Sequence, residues 1–367
     1  MKVSFSYLKQ QFANPEPILE KIGALVKTGA LTLGHAVETF EQTFADFIGA
    51  KYAVGVGSGT DALFLSLKAA GVGPGDEVIT AVNTFVATAG AIETAGARIR
   101  FVDCNERYVM DVAKLEAAIT PQTKAVIPVH YTGQPVDMTA LTALSEKHGF
   151  TIIEDSCTAI DGEIDGRRCG TIGLTGAFSL HPLKNLNVWG DGGLITTNSE
   201  AVRDQLHLLR NHGMNDRDTY AFYAYNSRLD SLQAVVGQEL IKDVSWITEQ
   251  RIEHARRYDA AFANIDAITV PERRRNERHV FHLYILLVEQ RDALLAHLKK
   301  AGVSAKIHYP IPLHLQPASA KLGYAAGDFP VAEHQAAHMI TLPAHQHLTD
   351  EELDYVIAQV RGFYGAS

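Results

Sequence analysis

From residue 52 to about residue 200, short apolar runs alternate with stretches of helical spacing. The apolar runs fall at Ala53–Val56, Glu77–Ala81, Arg98–Val102, Ala125–Val129, Thr151–Glu154, Gly176–Ser179 and Leu194–Thr197. Several are apolar almost throughout, the pattern of strands covered on both faces. Between them, residues 61–70, 84–95, 111–119 and 138–148 read as helices. Alternating strand and helix predict an α/β fold built on a mostly parallel seven-stranded sheet.

Both flanks read differently. Pro15 to Thr28 has helical periodicity, and Phe40, Phe44 and Phe47 share one helical face that must be core. After the alternating region, residues 237–265 form a long polar helix that bridges to a smaller unit. His279 to Val288 reads as a strand, Arg291 to Ala301 as a helix ended by Gly302, and Val303 to Ile307 as another strand. A last helix opens after Leu348, with Thr349 or Asp350 as cap and Glu352 in its first turn. Together these predict a large domain over 1–240 and a smaller α+β domain over 241–367.

Composition narrows the classes. The chain has 367 residues, 46% hydrophobic and 20% charged, as in ordinary globular proteins. Its formal charge of −9 argues against nucleic acid, which would need a basic stripe. No apolar run is long enough for a membrane span, and the N-terminal residues carry no secretory apolar segment. Cys104, Cys157 and Cys169 are scattered and odd in number, which predicts free thiols in the reducing cytoplasm. Neither they nor the histidines have metal-ligand spacing, so no metal is expected.

Three stretches suggest chemistry. Lys184 lies on a tight connection, between Phe178-Ser179-Leu180 and the glycine-rich Gly190-Asp191-Gly192-Gly193. A lysine held there loses solvation, its amine is freed, and a free amine attacks carbonyls to form Schiff bases. Thr151-Ile152-Ile153-Glu154-Asp155 reads as a buried parallel strand ending in a carboxylate, the end at which α/β sheets bind ligands. Asp155 at that place could hold a proton on a ring nitrogen, or simply cap the next segment. The third stretch, Gly55-Val56-Gly57-Ser58-Gly59-Thr60, joins a strand to a helix and suits a phosphate at the helix N-terminus. It lacks the lysine of a P-loop and the acidic partner of a dinucleotide site.

Taken in order, Ser58-Gly59-Thr60-Asp61-Ala62-Leu63, Glu154-Asp155-x-x-x-Ala159 and Phe178-Ser179-x-x-x-x-Lys184-Asn185, with Gly190-Asp191-Gly192-Gly193 downstream, resemble the DegT/DnrJ/EryC1/StrS family. These are sugar aminotransferases of pyridoxal phosphate (PLP) fold type I, and the resemblance runs nearly the whole chain. It implies PLP as cofactor, held by Lys184, with Asp155 on the pyridine nitrogen as the second catalytic residue. Gly59, Thr60 and Ser179 would hold the phosphate, Phe85 would stack on the ring, and Thr158 would lie near the ring hydroxyl. Asn226 would reach the phosphate of a neighbouring subunit's cofactor, which implies a homodimer with shared active sites. His308, Tyr309 and Arg228 would meet the substrate. The reaction implied moves an amino group from L-glutamate to a keto sugar, expected to be nucleotide-linked.

Two positions depart from the family pattern. Thr158 stands where glutamine or histidine is usual, and Ala224-Tyr225 replaces a usual glycine before Asn226. Lysine at 184 argues against the related branch that dehydrates sugars with a histidine in its place. A keto-cyclitol acceptor, and a PLP-holding regulatory protein without turnover, are the remaining alternatives.

Overall fold

The computed structural model describes residues 1–366. Seven strands form the central sheet: β1 (Tyr52–Val56), β2 (Glu77–Ala81), β3 (Arg98–Val102), β4 (Thr123–Ile127), β5 (Thr151–Asp155), β6 (Thr175–Ser179) and β7 (Gly193–Thr197). Their spatial order is β1-β7-β6-β5-β4-β2-β3. Every neighbour pair is parallel except the two that involve β7, which runs antiparallel to β1 and β6. The mostly parallel sheet read from the alternation is therefore present, with all seven strands. The exception has a local cause. The segment between β6 and β7 carries no helical crossover, and a parallel neighbour needs one.

Helices cover both faces, which is why several strands are apolar almost throughout. Ile79 in β2, Val126 in β4 and Ile153 in β5 are all fully buried. Truncating any one to alanine would destabilise the protein by roughly 2–5 kcal/mol. Before the sheet come α1 (Glu16–Thr28) and α2 (His35–Ile48); Phe40 and Phe44 of α2 are fully buried, as their spacing required. The helix α3 (Gly59–Ala69) follows β1, and α4 (Val86–Thr94) follows β2.

The C-terminal part is less regular than expected. The long helix read over 237–265 is two helices, α5 (Ser231–Leu240) and α6 (Val244–Phe262), joined by a 3₁₀ turn at Ile241–Asp243. The strand expected over His279–Val288 is confined to β9 (Tyr284–Val288), which lies between β8 (Ile268–Thr269) and β10 (Met339–Leu342). Val303–Ile307 makes no strand; Val303 and Lys306 form only single bridges, to Val3 and Thr341. Each finds one partner on a different segment, and no ladder forms. The final helix, α7 (Asp350–Phe363), opens with the predicted cap. Thr349 and Glu352 form a reciprocal capping box.

The apolar cores cross the expected domain boundary in both directions. Val3 packs with Tyr258, Tyr284 and Leu353 in the core of the C-terminal unit. Leu313, Phe329 and Ala332 pack against the large sheet.

Candidate active site

The carboxyl ends of β5 and β6 and the amino end of α3 meet at one cavity of about 350 Å³. Gly59, Thr60, Phe85, Asp155, Thr158, Ser179, Lys184, His308 and Tyr309, separated by up to 250 positions in sequence, all line it.

α3 starts at Gly59, with Ser58 as N-cap; the Ser58 hydroxyl accepts the Asp61 amide at 3.0 Å. The amides of Gly59 and Thr60 stand in the first turn, where a helix supplies no acceptor for them. They are therefore free donors with the helix dipole behind them, a seat for an anion. Gly59 is required for this approach. A Cβ there would lie 2.7 Å from Ser179 Cβ and 2.9 Å from Cys157 Sγ. The Ser179 oxygen accepts the His181 amide at 3.3 Å, which leaves its hydroxyl proton free to donate.

Asp155 is buried and aimed by two contacts. Its Oδ2 accepts the Thr88 hydroxyl at 2.8 Å, and its Oδ1 accepts the Cys157 amide at 3.2 Å. Thr84 and Thr88, one turn apart, are themselves 2.8 Å apart at their hydroxyls. Beneath Asp155, Glu154 accepts the amides of Gly170, Ile172 and Gly173 and a hydrogen bond from His130 at 2.9 Å. Burial pushes the Glu154 carboxyl up, but these bonds outweigh it and hold it below its ordinary range. His130 is anchored on both sides of its ring: Nδ1 accepts the Val136 amide at 3.1 Å, and Nε2 meets Glu154. This buried network fixes the strand end that carries Asp155.

Lys184 projects from a loop whose carbonyls are tied down. The Tyr7 hydroxyl reaches Leu183 O at 3.2 Å and Lys184 O at 3.0 Å; Asn187 donates to Pro182 O and Lys184 O. Burial pushes the lysine below its ordinary value, opposed by Cys157 and Asp155. Burial and Asp155 push the Cys157 thiol well up, so it is uncharged near neutral pH. Asp155 is therefore the effective counter-charge of Lys184, across the cavity.

The other expected residues divide. His308 bonds Thr341 at 2.9 Å through Nδ1, and burial, aided by Lys306 and Lys184, pushes it down to about 4. Burial pushes Tyr309 up to about 12, and its ring stands 5.8 Å from that of Phe85. Phe85 is half exposed and caps α4. A second cavity of about 350 Å³, mostly apolar, opens on the other side of Phe85 and Tyr309. Thr158 lines the main cavity, but its hydroxyl donates to His130 O at 2.9 Å. Its proton is therefore already committed. Arg228 is not among the lining residues; it donates to Asn211 at 3.0 Å. Asn226 does not line this chain's cavity either, and it is exposed.

Sequence reasoning assigns no role at the site to Thr88, Tyr7, Asn187 or His282. Only the i, i+4 spacing of Thr84 and Thr88 offered a local signal; the rest depend on contacts across the fold. Among the described residues no cluster of histidine, cysteine or acidic side chains could hold a metal, and no helix is long and apolar enough to cross a membrane.

The donor set fits a phosphorylated pyridine aldehyde: free helix amides and a serine for an anion, a buried amine, and a fixed carboxylate opposite. The chain belongs to the DegT/DnrJ/EryC1/StrS aminotransferase family, whose model matches residues 14–361. It is 39% identical, over 99% of both chains, to a Geobacillus stearothermophilus protein named pleiotropic regulatory protein. An Acidithiobacillus ferrooxidans protein named UDP-N-acetyl-3-dehydro-alpha-D-glucosamine 3-aminotransferase is also 39% identical, over 94% of this chain and 93% of its own. The crystal structure of S. venezuelae DesV in complex with a ketimine intermediate matches with a TM-score of 0.97 at 36% identity, covering 100% of this chain and 99% of that one.

Proposed function

We propose that this protein is a PLP-dependent aminotransferase of amino-sugar biosynthesis, moving an amino group from an amino acid to a nucleotide-linked keto sugar. One observation carries the reading: a buried lysine and a fixed aspartate face one cavity, whose floor is a helix N-terminus that only glycine permits. Bound PLP supplies an aldehyde for amines and a ring that takes up charge when a neighbouring carbon loses its proton. Gly59, Thr60 and Ser179 hold its phosphate. Asp155, aimed by Thr88, keeps the ring nitrogen protonated. Phe85 limits the cavity on one side. Lys184, lowered by burial, is the amine that holds the cofactor and then carries the proton to and from the reacting carbon. The apolar cavity beyond Phe85 and Tyr309 gives room for the larger acceptor.

The proposal extends to assembly and place. Asn226 lies beside an exposed aromatic stretch, with Tyr220 at 55% and Tyr223 at 102% exposed, and it does not reach its own cavity. A homodimer that buries this stretch would deliver Asn226 to the partner's phosphate. We set the division between a large and a smaller domain at 240/241, beside the 3₁₀ turn Ile241–Asp243, with Val3 packed against the smaller one. All three cysteines are free, which suits the cytoplasm.

The retained lysine and aspartate favour turnover over a purely regulatory role. The test is a single half-reaction. L-glutamate without acceptor should release one equivalent of 2-oxoglutarate per active site, and a keto sugar should then allow further release. Cofactor binding with no 2-oxo acid released from any amino acid would remove the reading.

A further inference from the structure

Two lines of contacts run from Arg251, on α6, to the carbonyl of Lys184, and both cross the N-terminal segment. In the first, the Arg251 guanidinium faces the Tyr7 ring, 5.2 Å from its centroid. The Tyr7 hydroxyl reaches Lys184 O at 3.0 Å and Leu183 O at 3.2 Å. Burial pushes that hydroxyl up against the pull of Arg251, so it keeps its proton and shares it between the two carbonyls. The second line is a relay of side-chain amides. Arg251 Nε donates to Gln346 Oε1 at 3.1 Å, Gln346 Nε2 to Gln11 Oε1 at 3.2 Å, Gln11 Nε2 to Asn187 Oδ1 at 3.0 Å, and Asn187 Nδ2 to Lys184 O at 3.1 Å. Each amide accepts on one side and donates on the other, an order in which hydrogen bonds polarise one another. Arg251, Tyr7, Gln346 and Asn187 are all buried. The segment that carries Tyr7 and Gln11 is itself fixed to the C-terminal unit: the Val3 amide donates to Gly302 O and the Ser304 amide to Val3 O, both at 3.0 Å. The lysine loop also meets that side directly, through Asn185 and Val280 O at 3.2 Å, but this bond leaves Lys184 O untouched.

We infer that Tyr7 and Gln11 are positioning residues for Lys184: the N-terminal segment transmits the place of α6 to the backbone that carries the reacting amine. The inference rests on the aminotransferase reading. Neither residue lines the main cavity, so both act through Lys184. A carbonyl held by two donors cannot turn without breaking both bonds, and its fixed plane sets the direction in which the lysine side chain leaves the loop. Proton transfer falls steeply when the base is misplaced, because the reacting atoms must lie within hydrogen-bond reach. Donor binding does not depend on that reach, so the effect belongs to kcat.

The experiment compares holoenzymes, with L-glutamate carrying hydrogen or deuterium on its α-carbon. Tyr7→Phe keeps the ring beside Arg251 and removes the hydroxyl; Gln11→Leu interrupts the relay. Each should lower kcat for 2-oxoglutarate release about 10-fold and leave KM within about twofold. The deuterium isotope effect should be at least as large as in the unmodified enzyme, because the slowed step is the proton transfer at Lys184. In both variants the amides of residues 183–187 should exchange with deuterated water about 10-fold faster. Tyr355→Phe is the structural control. It removes a hydroxyl that donates to Ala301 O at 2.9 Å, away from the loop, and should leave kcat and the isotope effect as they are. An unchanged kcat in both variants overturns the inference. So does a fall in which the isotope effect shrinks towards one, which would mark another step as slow, or an equal fall in Tyr355→Phe. Either variant decides by itself should the other not fold. If the unmodified enzyme releases no 2-oxo acid from any amino acid, the aminotransferase reading fails separately. The exchange measurement then still decides: unchanged exchange over 183–187 in both variants overturns the positioning role.

Discussion

Arg210 and Arg251 are both buried guanidiniums, 6% and 3% exposed, and their surroundings differ in one respect. Arg210 sits at the seam of β1 and α2. It meets the Glu41 carboxylate and Gly55 O, and Glu41 also accepts the Gly55 amide at 2.7 Å. Every charge there has its opposite inside the fold. Arg251 sits at the seam of α6 and the lysine loop and meets only amide and carbonyl oxygens. The first seam sets charge against charge; the second sets a guanidinium against neutral oxygens and the Tyr7 ring. Where a buried charge meets no opposite charge, positioning rather than stability is the place to look for its use.

The largest expected effect lies beside the second seam. Lys184→Ala should lower turnover by more than about 1,000-fold while the protein stays folded. Rapid-quench measurement of 2-oxoglutarate and a melting curve separate the two; full turnover would remove Lys184 from its role. Next comes the first seam. Glu41→Gln leaves Arg210 buried without its carboxylate and should destabilise the protein by about 3–5 kcal/mol in urea unfolding. It should not slow turnover; a fall in kcat like that expected of Tyr7→Phe would erase the distinction between the two arginines.

Thr88→Ala should have a smaller effect, about tenfold on turnover and about 1 kcal/mol on stability, since it removes one hydrogen bond that aims Asp155. The fall should be in kcat, with donor KM held. The smallest effect is on pH dependence. His308 and His345 are pushed down to about 4 by burial, so the unfolded chain binds more protons than the folded one between that value and the ordinary histidine range. Stability should therefore be full above about 6.5 and fall as pH drops towards about 4. Replacing His345 with Gln should flatten that slope in urea titrations at several pH values.

How much was legible follows from distance along the chain. The seven strands, α2 and its aromatic face, and the Thr349 cap are set by neighbours within one or two turns, and each was readable. Lys184, Asp155, Gly59 and Ser179 were readable because each sits in a motif of its own. Thr158 was placed near the cavity, but its hydroxyl is taken by His130 O, a residue 28 positions away. Arg228 was expected at the substrate and is instead bound to Asn211. The break of the long helix at Ile241–Asp243 and the loss of a strand at Val303–Ile307 reflect packing partners that periodicity does not encode.

By itself, the order of residues determined the alternation of strand and helix, the apolar faces and the glycine-rich helix start. Those depend on local sterics and on burial, and both act through near neighbours. The antiparallel place of β7, the aim of Asp155 by Thr88, the tethering of the lysine loop by Tyr7 and the setting of Arg251 among neutral oxygens were decided only by the tertiary structure. Hydrogen bonds and charge compensation act through space, so which partners meet, and which side chain is left without one, depends on how distant segments pack.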